Sequence, residues 1–417
     1  IYTQGQSEAN PNLGTQIVDN VLNFTGADSV RRMGIVAVNE QNIQIRRNQI
    51  YVNRGGAPGG AVGIGLGADV DSKFAFNATT SGGIIDAIVA QNRITGVVGS
   101  NDYGAHGIAV AGAPSGQNRL TNNMISGVTG APTSPDLTTG IFIAGVPGSN
   151  TYLNYNSVAM TGDRGSGAAL PSYALAMSGT DPTVQLKNNI FYTTQVATGG
   201  GAGAVSYAIG TGSSTFVNLD SNFNAFYHSG TFGYRVGGLL SGTQITNLAD
   251  WQGSVSDDAN SQEVDPLFVD PTTDLHLQGT SPVLDDAIDV GTVADIDGDP
   301  RPIGAGFDIG ADERPVSVTY TLSVDPATAN ESGEPTVTIT ATGDVPASGN
   351  TVVSLTLDPT STATLADLVG GSIPTEITIL DGQSSGSVQI NIEDDAVYEG
   401  VETAVFKGQI GASTFTA

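Results

Sequence analysis

The sequence has no cysteine among its 417 residues, which excludes disulfide frameworks, thiolate metal sites and cysteine nucleophiles. It is also short of positive charge, with 14 lysines and arginines against 41 acids and a net charge of −27. Nucleic acid and anionic membrane surfaces attract the opposite composition, so neither is expected as a partner. No apolar run approaches the roughly 18 residues of a membrane span, and no membrane insertion is expected. The opening IYTQGQSEANP has neither a basic start nor an apolar core, so no signal peptide is expected there. Between Gly34 and Leu240 no sustained 3.6-residue apolar stripe occurs, so helices are not expected in that stretch. The chain is nonetheless too long for one ordinary core, and its 39% hydrophobic residues suffice for two or more domains.

What the sequence has instead is repetition. An asparagine, any residue and an apolar residue recur as NQI at Asn48, NRI at Asn92, NMI at Asn123, NSV at Asn156, NNI at Asn188 and NAF at Asn224. From Asn92 onward the steps are 31, 33, 32 and 36. A second pattern interleaves with it, GIAVAG from Gly107, GIFIAG from Gly140, YALAMSG from Tyr173 and YAIGTG from Tyr207, stepping by 33, 33 and 34. Two patterns on one period signal stacked structural repeats. The repeated elements are short, β-branched or aromatic, and bounded by glycine, asparagine and serine, which reads as strands. A single coil cannot bury its apolar face alone, and its neighbours complete it. The expected fold is therefore all-β, a solenoid over residues 1–249 of about nine coils, ~40 Å long at ~4.8 Å per coil. The turn asparagines, which tolerate left-handed backbone, are expected to stack into a ladder.

After Ala249 the beat stops. Trp251, the only tryptophan, opens an acidic, turn-rich segment over 250–313 that reads as the closing cap of the solenoid. NNIFY, then DWQ, VDPLFVD, LHLQGTSPVLD, DIDGDPRP and FDIGADE in this order resemble the end of secreted bacterial right-handed parallel β-helix proteins of the pectate-lyase-like superfamily. The resemblance covers roughly residues 1–313. It implies a right-handed parallel β-helix and a secreted or cell-surface, extracellular location. Within the segment, Asp295, Asp297 and Asp299 have the spacing that opens an EF-hand loop. Pro300 and Gly306 then stand where that loop requires glycine and glutamate. The turn is read as structural, with Arg301 pairing Asp308 or Asp312.

Beyond Arg314 the composition changes again. VTYTLSVD, PTVTITATG, TVVSLTLD, TEITILDG, GSVQINIEDD and TAVFKGQI alternate with period 2, which argues for an immunoglobulin-like antiparallel β-sandwich over 316–417. Between the last two strands, IEDDAVYEGVET carries Glu393, Asp394, Asp395, Glu399 and Glu402 and no base. Such a loop supplies the oxygens that a hard cation takes. The segment resembles the Calx-beta domain, known for binding Ca2+ at its loop end. The resemblance implies Asp394 and Asp395 as bridging ligands, the Val397 carbonyl, and Glu399 and Glu402 completing the shell. Glu331 matches the family's early-strand glutamate, and Asp367 its acid after a small-residue turn. The family usually has another acidic cluster after its last strand, and STFTA has none. The sandwich is thus read as incomplete at its C-terminus, with an edge open to another strand.

A catalytic set is not found. A lyase needs a base beside a uronate, yet only Lys73 and Lys187 lie in the solenoid, and Lys187 reads as solvated. Arg46 and Arg47 are adjacent and on a strand would face opposite ways. His228 and His276 have no acid or nucleophile near them in the sequence pattern. The expected function is a non-catalytic extracellular structural or adhesive protein. It would self-associate into a filament, sheath or layer, or join another surface protein, with Ca2+ stiffening its C-terminal domain. The alternative is a polysaccharide lyase or hydrolase, or a glycan-binding module, with Asp102 and His106 as glycan contacts.

Overall fold

The computed structural model describes residues 1–22, 30–54, 59–67, 83–133, 137–179, 182–213, 218–314, 318–344, 347, 350–394, 400–411 and 413–417. The chain forms two compact units, Ile1–Pro315 and Val316–Ala417.

The first unit is a β-solenoid of about seven turns, fewer than the nine read from the repeat. Three sheets of twelve, seven and eight strands form its walls, parallel except where Thr243–Ile245 runs antiparallel to Tyr234–Val236. One turn runs through Thr138–Gly145, Asn150–Asn154 and Ser157–Met160, and the next through Ser172–Met177, Thr183–Lys187 and Ile190–Thr193. Like stacks on like. Ile35, Ile64, Ile108, Ile141, Leu175 and Ile209 share one column, each in register with the next, and all are fully buried. Each such side chain contributes about 1.5–3 kcal/mol by leaving water. Beside that column a Cβ on Gly107 would lie 2.5 Å from the carbonyl oxygen of Gly140. Glycine is needed there because successive backbones approach too closely for a side chain.

The asparagine ladder exists, shifted by one residue in one coil. Asn48 donates through Nδ2 to Asn92 at 2.9 Å, Asn92 to Asn123 at 2.9 Å, Asn123 to Asn156 at 2.9 Å, Asn156 to Asn189 at 2.9 Å and Asn189 to Asn224 at 3.0 Å. The fifth rung is Asn189, not the Asn188 that the triplet suggested. The left-handed backbone lies one residue earlier, at Arg47, Gln91, Asn122, Tyr155, Asn188 and Phe223. The ladder residues themselves are fully buried, and their amides fill the corner where the backbone turns. Each also donates to a carbonyl of the preceding turn, as Asn156 does to Leu120 at 2.9 Å. The buried polar groups are thereby satisfied within the column.

Only part of 250–313 closes the end. A helix, Leu248–Val255, is N-capped by the Asn247 side chain and brings Trp251 onto the core, stacked on Tyr234 at 5.6 Å between ring centroids. The Trp251 indole donates to Asp258 at 2.8 Å, and Asp258 also accepts from Asn224 at 3.2 Å, ending the ladder. The remainder turns back as a strap along the outer face of the eight-stranded sheet. Phe268, Leu275, Leu277, Val283 and Ile309 pack there on Met124, Ala159, Ile190 and Ala225. The residues in the left-handed corner positions hold it. Gln91 donates to the Asp295 carbonyl at 2.5 Å, Asn122 to Ala294 at 2.5 Å, and Tyr155 and Asn188 to Ile288 at 2.6 and 2.7 Å.

The second unit contains a three-stranded antiparallel sheet, Tyr320–Asp325, Thr336–Gly343 and Ser385–Asn391. A four-stranded sheet comprises Glu376–Ile379, Thr351–Leu357, Phe406–Ile410 and Ser413–Thr416. Both are small, and they share one core that includes Ile339, Val353, Leu355, Ile377 and Phe406. No helix of the described residues is long and apolar enough to cross a membrane.

Candidate functional site

The first candidate lies at one end of the second unit. Strand Ser385–Asn391 runs on to Ile392, whose N–H donates to the Pro335 carbonyl at 3.0 Å and which bridges Leu368. Glu393 N–H donates to the Asp367 carbonyl at 3.0 Å, and Gly333 N–H to Asp394 Oδ2 at 3.2 Å. Thr403 N–H reaches Thr362 Oγ1 at 2.8 Å, which keeps the Glu402 backbone close to the turn at Leu365–Asp367. These bonds collect the segments bearing Glu331, Asp367, Asp394 and Glu402 at one end. Glu331 and Asp367 are half-buried, and Asp394 and Glu402 are exposed. The Asp367 carboxylate is already engaged. Its Oδ2 accepts from Thr364 N–H at 2.5 Å and Thr364 Oγ1 at 3.1 Å in a capping box, so it suits a second-layer role better than a ligand's. Asp395, Val397 and Glu399 lie outside the described residues.

The second candidate pair is split by burial. Asp102 is exposed at the end of strand Arg93–Asp102 with a left-handed φ of 72°. His106 is 3% exposed. It occupies one outer column with Val62, Thr139, Tyr173 and Tyr207. Its Nδ1 lies 2.8 Å from Thr139 Oγ1, and its ring packs on Phe142 at 5.6 Å. Burial pushes its pKa down to about 4, so the ring is neutral. His106 is therefore a rung of the stack, and only Asp102 of the pair presents itself to a ligand.

A third group was not legible in the sequence. His276, on strand Asp274–Leu277 of the strap, has an acid on each side of its ring. Nδ1 bonds the Asp274 carboxylate, and Nε2 lies 2.8 Å from Asp297 Oδ2. Arg93, from the solenoid, reaches Asp297 Oδ1 at 2.5 Å and stands 3.4 Å from His276 Nε2. Asp312 completes the group. His276, Asp297 and Asp312 place one ligand atom each within 4.8 Å of one another, the only such group among the described residues. Burial opposes a charge on His276, but its hydrogen bonds to Asp274 and Asp297 outweigh it and raise the pKa. Burial raises that of Asp312.

Other bases are engaged elsewhere. Arg301 pairs with Glu313 at 2.5 Å, both fully buried, rather than with the carboxylates of Asp308 or Asp312. Its guanidinium lies 4.2 Å above the Tyr155 ring. Asp295 Oδ1 accepts the N–H groups of Asp297, Gly298 and Asp299 at 2.8–2.9 Å, which fits the structural turn. Lys187 pairs with Asp220 and is mostly covered, not solvated. His228 Nε2 lies 3.3 Å from Glu263 Oε1, close enough to attract yet too poorly aligned to hydrogen-bond. Both His228 and His276 thus have acids beside them, contrary to the sequence reading. In comparisons with known proteins, no family model, no curated protein and no solved structure matches this chain.

Proposed function

We propose that the chain is a non-catalytic extracellular structural or adhesive protein, a rod followed by an immunoglobulin-like, Calx-beta-like domain that Ca2+ stiffens. The observation that carries this reading is the unbroken asparagine ladder beside like-on-like apolar columns. Every turn depends on its neighbours, which is the construction of a rigid spacer. The secreted, bacterial setting rests on the resemblance to pectate-lyase-like β-helices, and the acidic composition suits a medium rich in divalent cations. Ca2+ would be held by Asp394, Asp395, Glu399 and Glu402 with the Val397 carbonyl, and Glu331 and Asp367 beside them. The convergence of the Gly333, Asp367 and Asp394 segments supports that set. Self-association, or union with another surface protein, is supported by the exposed apolar side chains Val352, Leu365, Val369, Leu380 and Val401 on the same unit.

A second reading, glycan binding on the solenoid, is favoured by the open outer face of the seven-stranded sheet. There the Arg119 guanidinium lies 5.5 Å from the Tyr152 ring centre, and Gln117 donates to the Tyr152 hydroxyl at 3.3 Å. Electron microscopy of the full chain in Ca2+ and in chelator tests the first reading. Ordered polymers that dissolve on chelation support it, and single short rods under both conditions contradict it and direct attention to glycan binding.

A further inference from the structure

We propose that His276, Asp297 and Asp312 form a binding site for a divalent transition cation of the Zn2+ class, and that the Arg93 guanidinium stands in for that cation in the metal-free protein. The ligand atoms sit within 4.8 Å of one another. Tetrahedral zinc ligands at 2.0–2.2 Å from the metal lie about 3.4 Å apart, so a closure of up to about 1.4 Å completes the set. An imidazole nitrogen beside two carboxylates suits Zn2+ and its neighbours, while Ca2+ and Mg2+ take oxygen.

Two features go beyond the proximity of the acids. Asp312 is 7% exposed. Its Oδ2 accepts the Leu277 N–H at 2.8 Å, and no donor among the described residues reaches its other oxygen. A cation beside so buried a carboxylate offsets the cost of its burial. The His276 ring is also oriented for the task, since Asp274 bonds Nδ1 and leaves Nε2 facing Asp297. A carboxylate on the far nitrogen of a metal-bound histidine is the usual arrangement that fixes ring and tautomer.

Among the described residues Arg93 is the only one from the solenoid that hydrogen-bonds a ligand side chain, and its long side chain can swing into solvent. His276, Asp297 and Asp312 come from three separate segments of the strap, so the ion would staple the strap to itself and release Arg93. The site is independent of the Ca2+ reading for the other unit.

The test is calorimetric titration of the chelator-stripped full chain with ZnCl2, and again in excess CaCl2. One site is expected that Ca2+ does not occupy. His276→Ala should weaken it at least about tenfold. Arg93→Ala should tighten it about 2- to 5-fold by removing the competing charge. Failure to bind Zn2+, displacement by Ca2+, or unchanged affinity in a folded His276→Ala chain would overturn the proposal. If His276→Ala does not fold, Arg93→Ala still decides, because unchanged or weaker Zn2+ binding contradicts the stand-in role.

Discussion

The two units handle buried and crowded polar groups in opposite ways. In the solenoid, amides answer amides from turn to turn, Asp258 ends the ladder with donors from Trp251, Ser221, Ser261 and Asn224, and Arg301 meets Glu313 inside the protein. The second unit gathers acids at one end, and Lys407 is its one lysine or arginine. A ladder that satisfies its amides internally holds its shape without help, whereas a cluster of like charges is eased by a counter-ion. On the proposed reading, the contrast joins a self-supporting solenoid to a domain whose stiffness would respond to Ca2+ in the medium.

The largest test of the contrast is to break an internal partner. Glu313→Ala leaves the Arg301 guanidinium buried without its carboxylate and should cost about 3–5 kcal/mol in urea unfolding of the first unit. If the loss is under about 1 kcal/mol, the internal pairing is not what holds the strap. Asn156→Ala comes next. It removes the acceptor of Asn123 and the donor to Asn189 and Leu120, and should cost about 2–4 kcal/mol. The same change at Asn188, outside the ladder, should cost less, and equal losses would contradict the assignment of Asn189 as the rung.

Proton binding sharpens the comparison further. Burial raises the Asp308 pKa to about 7, so the folded state holds a proton there that the unfolded state has released, and this contribution to stability is lost as pH rises from about 4 to about 7. Burial lowers the His106 pKa to about 4, so the folded state refuses a proton that the unfolded state takes, and stability is lost as pH falls from about 6.5 to about 4. The two slopes oppose each other in the wild type. Relative to wild type, Asp308→Asn should tilt the pH dependence toward lower stability on acidification across that window, and His106→Phe should tilt it toward higher, as measured by chemical unfolding at pH 4.5, 5.5 and 6.5. The smallest expected effect is at the acidic end of the second unit. Asp394→Asn should leave stability without Ca2+ within about 0.5 kcal/mol of wild type and reduce the Ca2+-dependent rise in melting temperature.

Much of the solenoid was legible because stacking forces a period on the sequence. The ladder asparagines and the column through Ile108 and Ile141 repeat visibly. The register slip at Asn188 arose because NNI offers two asparagines, both buried: Asn188 takes the left-handed corner and turns to the strap, and Asn189 bonds both neighbouring rungs. The strap was less legible, although a signal existed. IFYT and AFYH are apolar on successive residues and are covered on both faces, whereas NRLT and VQLK alternate and leave one face open. Something had to lie on the first set, and the segment after Trp251 does. The group around His276 could not be read in advance, because Asp297 lies 21 residues from it in sequence and Arg93 lies 183. In the second unit the strands were legible from their alternation. The arrangement of the acids was not, because it depends on backbone bonds from Ile392, Glu393 and Gly333 that no local pattern encodes.

The most direct measurement is hydrogen exchange of the full chain with and without Ca2+, read peptide by peptide. The account predicts that amides along the ladder at Asn92, Asn123, Asn156 and Asn189 exchange equally slowly in both conditions. Those around 331–335, 365–369 and 392–403 should become several-fold slower in Ca2+. Ladder amides that slow in Ca2+ as much as the acidic loop does, or an acidic loop indifferent to Ca2+, would contradict it.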